Sequence, residues 1–96
     1  MSLVFVEYKI IEAKRTLYVN KINAIMEKYK PYVQVLEGAD QPGLFVELWS
    51  DMTLEQYEKW KQERLNGSMS IWNEIHACIQ GGQEKVHIWR FTPLKI

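Results

Sequence analysis

Residues 43–53 read "GLFVELWSDMT". Leu44, Phe45, Val46, Leu48 and Trp49 are apolar, and a single carboxylate, Glu47, stands among them. Successive side chains of a strand point to opposite faces, so a strand with one solvated side alternates apolar and polar residues. This one is apolar at both parities and must be covered on both sides. Its end is punctuated: Thr53 followed by Gln56 matches a capping box, so a helix starts at about Leu54.

Upstream, "VQVLEG" is a second β-rich run, joined to the first by Gly-Ala-Asp-Gln-Pro-Gly, a composition suited to a hairpin loop. Before it, Tyr18, Ile22, Ile25, Met26 and Tyr29 recur at helical spacing between about Ala13 and Lys30, and Pro31 stops that helix. The chain opens with "LVFVEYKI", residues 3–10, with Val4, Val6, Tyr8 and Ile10 on one face and Leu3, Phe5, Glu7 and Lys9 on the other. Downstream of Thr53, the spacing predicts an inner helical stripe of Leu54, Tyr57, Trp60 or Lys61, and Leu65. Asn66-Gly67 interrupts it, with Gly67 expected near a left-handed conformation. The helix resumes with Ile71, Ile75, Cys78 and Ile79 on one face, "QGGQEK" forms a loop, and "VHIWRF" is the last strand.

The order is βαββαβ, a ferredoxin-like α+β arrangement in one domain, residues 1–96: one antiparallel sheet with the helices on one face. Placing Val4, Val6 and Tyr8 with Leu44, Val46 and Leu48 and with Val86 and Ile88 toward the helices leaves Phe5, Phe45, Trp49, Trp89 and Phe91 on the other face. Five aromatics in water exceed what a soluble monomer ordinarily exposes, so a second sheet is expected there. The simplest source is an identical chain on a two-fold axis, giving a homodimer.

Composition excludes several classes of partner. Twelve basic and twelve acidic residues cancel, which leaves no electrostatic footprint for nucleic acid. No apolar run approaches the ~20 residues of a membrane span. The lone Cys78 cannot form an internal disulfide and has no zinc-ligand spacing around it, so it reads as a core residue in a cytoplasmic protein without a metal site.

In "VFVEYKI", "VLEGADQPGLFVELWSD" and "VHIWRF" the sequence resembles the dimeric α/β-barrel superfamily, which includes antibiotic-biosynthesis-type monooxygenases, haem-degrading monooxygenases, and NIPSNAP or EthD-like domains. The resemblance spans nearly the whole chain and implies two sheets closing a barrel across a dimer. It also implies a cofactor-independent monooxygenase-like activity, in which an electron-rich substrate meets dioxygen in a dry aromatic pocket beside a base.

Two groups of residues are candidates for the chemistry. Glu7, Glu47 and His87, with Trp89, share the expected barrel face as ligand-binding candidates, where a histidine beside carboxylates can shuttle protons. The competing reading pairs these charges across the dimer axis as satisfied contacts. On the helix side stand Tyr8, Trp60, Trp72 and His76, the last two being neighbours on one helix face. Haem-degrading members carry a strand Asn, a helical Trp and a haem-ligating His, positions that fall on Tyr8, Trp60 and His76. Tyr8 breaks that set, so the resemblance does not extend to haem turnover, and no cofactor is expected. The expected role is binding of a small apolar or aromatic ligand, and the competing role is a non-catalytic stress or accessory module.

Overall fold

The computed structural model describes residues 2–67 and 70–94. Four antiparallel strands, β1 (Leu3–Lys9), β2 (Val33–Glu37), β3 (Leu44–Ser50) and β4 (His87–Phe91), form one sheet in the order β2-β3-β1-β4. Helix α1 (Arg15–Tyr29) connects β1 to β2, while α2 (Leu54–Asn66) and α3 (Ser70–His76) connect β3 to β4. This is the ferredoxin-like α+β topology expected from the element order. Tyr18, Ile22 and Ile25 of α1 and Trp72 and Ile75 of α3 bury the inner face of β1 and β3 in one core. Among the described residues no helix is long and apolar enough to cross a membrane.

Register corrects one expectation. Val4 pairs with Trp49, Val6 with Glu47 and Tyr8 with Phe45. Directly opposed residues share a face, so Phe45, Glu47 and Trp49 point toward the helices, and Leu44, Val46 and Leu48 point away. Phe45 and Trp49 are buried beneath the chain's own helices and are not part of the outer aromatic face. Only Phe5, Trp89 and Phe91 of the expected five lie there. A strand apolar at both parities carries no phase in its pattern, and a one-residue shift of phase exchanges its faces.

The second helical region is interrupted at Gly67, as expected, but for another reason. Gly67 has φ −82° and ψ 171°, ordinary extended backbone, and its N–H donates to the Glu63 carbonyl. A Cβ at Gly67 would stand 2.3 Å from that carbonyl oxygen. Close approach of the backbone, not a left-handed φ, requires glycine here. Upstream, the capping box is formed: Thr53 Oγ1 accepts from the Gln56 N–H at 3.1 Å, and Gln56 Oε1 accepts from the Thr53 N–H at 3.0 Å.

Two helical stripes also differ from expectation. Leu54 is exposed, and the fully buried residue of α2 is Arg64. Helix α3 ends at His76, so Cys78 and Ile79 lie beyond it, still buried, with Ile79 bridged to Ile10.

Candidate functional site

Glu47 occupies the middle of β3 on the inner face and has no solvent exposure. An isolated carboxylate there would be prohibitively costly, so its partners must come from the elements packed above it. Arg64 supplies them from α2: one terminal guanidinium nitrogen donates to Oε1 at 2.6 Å and the other to Oε2 at 2.7 Å. This is the bidentate geometry that the planar guanidinium fork favours. The Trp49 indole N–H, two residues along the same face of β3, donates to Oε1 at 2.8 Å. The Tyr8 hydroxyl donates to Oε2 from β1.

The network continues in both directions. Tyr8 and Tyr18 hydroxyls are 2.7 Å apart, and since Tyr8 spends its proton on Glu47, Tyr18 is the donor between them. On the other side, Arg64 Nε donates to His76 Nε2 at 3.1 Å. Trp72 lies against the guanidinium, whose carbon is 4.1 Å from the ring centroid, and Trp60 approaches at 5.3 Å. Arg64 is thereby held by hydrogen bonds in its plane and aromatic rings beside it.

Two ring nitrogens in this cluster, Trp60 Nε1 and His76 Nδ1, are buried without a hydrogen-bond partner among the described residues. His76 and Trp60 both pack on Trp72, with ring centroids 6.4 Å and 6.3 Å away.

Proton affinities follow from this setting. Burial, reinforced by the adjacent Arg64 charge, lowers the His76 pKa to about 4. Burial alone would raise the Glu47 carboxyl, but the Arg64 charge and the hydrogen bonds from Arg64, Tyr8 and Trp49 outweigh it and hold the pKa below the usual carboxylate range. Burial, followed by the Glu47 charge, raises the Tyr8 phenol well above its ordinary value. The cluster at neutral pH therefore contains an ion pair, protonated phenols and a neutral imidazole.

The structure brings Tyr8, Trp60, Trp72 and His76 together around Glu47 and Arg64. Glu47 does not join Glu7 and His87, because the β3 phase turns it inward; Glu7 and His87 are opposite one another on the outer face. His87 and Trp89 stack there, 5.5 Å apart and 5° from parallel. Surface recesses among the described residues include one of about 600 Å³ beside Lys9, Arg15 and Phe45 and one of about 980 Å³ beside Ser2, Thr53 and Arg90.

Solved structures share this architecture over nearly the full chain. A candidate antibiotic biosynthesis monooxygenase of Deinococcus radiodurans superposes with TM-score 0.73 at 12% identity, over 100% of this chain and 95% of that one. The two chains share one fold. SnoaB, a cofactor-independent oxygenase of Streptomyces nogalater, gives TM-score 0.62 at 14% identity over 99% and 95% of the two chains. A NIPSNAP family protein of Agrobacterium tumefaciens gives 0.64 at 14% over 98% and 94%. No protein-family model and no curated protein matches the sequence.

Within this fold, sequence reasoning missed Arg64 and Tyr18 as members of the cluster. Arg64 had a signal: it follows Trp60 by four residues and Tyr57 by seven, on the half-buried stripe of α2. A lone acid in an apolar strand requires a cation, and Arg64 is the basic residue on that stripe that reaches it. Tyr18 was legible as core, but its hydroxyl contact depends on how α1 lies across β1.

Proposed function

We propose that this chain is a homodimeric small-ligand-binding protein of monooxygenase type, taking a planar apolar or aromatic molecule at the helix side of the sheet. The observation that carries this reading is the pair of buried, unpartnered ring nitrogens, Trp60 Nε1 and His76 Nδ1, within an aromatic enclosure around an ion pair. Buried polar atoms ordinarily find partners, and those left open beside aromatic rings suit the polar atoms of a ligand. Half-buried Trp60 is the member of the enclosure nearest solvent, so ligand enters by moving it. A cofactor-independent oxygenation fits the same setting, with the ligand as the electron source for dioxygen.

Native mass spectrometry of the purified protein, followed by tryptophan fluorescence titration with planar phenols and 1,3-dicarbonyls, tests this. A retained ligand or saturable quenching reduced by Trp60→Ala is expected; neither signal at millimolar ligand would refute it. Oxygen-electrode traces with the ligands that bind then separate binding from oxygenation.

A second reading, a non-catalytic assembly module, is favoured by the Arg64 side chain, which fills the space between α2, α3 and β3. It predicts dimerisation unaffected by any of these ligands.

A further inference from the structure

We infer that Arg64 is a positioning residue that holds His76 as the Nδ1–H tautomer, so that the site offers an N–H donor to an oxyanion on its ligand. The inference rests on the ligand-binding reading above for the oxyanion, but the tautomer follows from geometry alone.

An arginine side chain carries five donors and no acceptor. Its Nε lies 3.1 Å from His76 Nε2, so Nε2 must present a lone pair. A neutral imidazole with Nε2 unprotonated carries its proton on Nδ1. Protonating both nitrogens would set two N–H groups head to head beside a guanidinium, and the imidazolium is disfavoured accordingly. Arg64 cannot turn away to relieve this, because its other two nitrogens are committed to Glu47 and its plane lies against Trp72. Glu47 is fixed in turn by Tyr8 and Trp49. The chain of contacts from strand to imidazole therefore ends at His76 Nδ1, which has no partner among the described residues and is a donor.

His76 is 5% exposed, so Nδ1–H sits where water competes poorly. A donor in such a place is worth most to an acceptor carrying charge. Phenolates and enolates are planar, suit the tryptophan faces, and place an anionic oxygen at the ring edge. They are also the ionised forms of electron-rich molecules that surrender electrons to dioxygen. A neutral imidazole with its lone pair already occupied by Arg64 does not serve as the base; its role is to stabilise the anion.

The tautomer is read by two-bond proton–nitrogen correlation on histidine-labelled protein near pH 7. A protonated Nδ1 and a bare Nε2 are expected for His76, and Arg64→Lys, which keeps a charge near Glu47 but loses the fork, should release the imidazole into a mixture. A protonated Nε2 in the wild type overturns the inference, and this spectrum decides even where the variant fails to fold. The ligand class is read with 4-nitrophenol and its methyl ether. The wild type should bind the phenolate about tenfold or more tightly than the ether and lower the phenol's apparent pKa, a preference weakened in His76→Phe. Equal binding of the two overturns the oxyanion assignment. A protonated Nδ1 with no binding of either probe refutes the ligand-binding reading while upholding the positioning role of Arg64.

Discussion

Glu47 and Arg64 each have no exposed side-chain area, and each is the reason the other is tolerated. Removing one member strands a buried charge, so Glu47→Leu or Arg64→Met alone should lose about 3–5 kcal/mol, whereas the double variant should recover much of the loss. Urea denaturation of the four species completes the cycle, and additive losses would contradict the pairing. His76 gives the same cluster a pH dependence. Its folded pKa, lowered to about 4 from 6.5, means that between those values the unfolded chain binds a proton that the folded chain refuses. Stability is then fully present above pH 6.5 and declines as the pH falls toward 4, by at most about 1.4 kcal/mol per unit. Glu47, whose folded pKa is depressed, adds its own loss at lower pH as its carboxylate is protonated. Denaturation midpoints of the wild type and His76→Phe between pH 7 and 4 check the assignment: the variant's profile should be flatter in that window, and parallel profiles would remove His76 from the account.

At the scale of elements, what could be read without coordinates was what each segment declares locally. Pro31, the Thr53–Gln56 box and the Asn66-Gly67 break are backbone statements, and the helix and strand limits followed them closely. The phase of β3 was illegible because Leu44, Val46 and Leu48 compete on equal terms with Phe45 and Trp49 for the core, and cross-strand register decides between them. Glu47 followed that phase, so one residue of one candidate site moved to the other. Gly67 shows the same limit in miniature, since the dipeptide marks the break while its cause, contact with the Glu63 carbonyl, is three-dimensional. Gly67→Val should therefore cost about 1–3 kcal/mol through forced backbone movement despite its accessible φ, and Thr53→Ala should cost about 1 kcal/mol through loss of the cap. Thermal denaturation of both, with helix content by circular dichroism, checks this. A neutral Gly67→Val would mean that the turn shifts freely.

The whole molecule has one covered sheet face and one open one. With Phe45 and Trp49 inside, the open face retains Leu3, Leu36, Trp89 and Phe91 as exposed large apolar side chains, and Phe5 packs edge-on against Phe91 among them. Val46 and Leu48 extend the same face from β3. A second copy of the chain is the occupant expected here, because two such faces related by a two-fold axis bury each other's apolar centre and leave His87 and Glu7 among its polar positions. The interface should approach ~1,600 Å² in total, enough for a dimer at micromolar concentration. Placing a carboxylate at its centre tests the surface without touching the core: Leu48→Glu or Trp89→Glu should yield monomers by multi-angle light scattering while the far-ultraviolet dichroism of the fold is retained. Because the Glu47–Arg64–His76 cluster lies on the opposite side of the sheet, the His76 tautomer should be the same in those monomers. A dimer that survives both substitutions would place the interface elsewhere, and a tautomer that changes on dissociation would show that the two faces are coupled through β1 and β3.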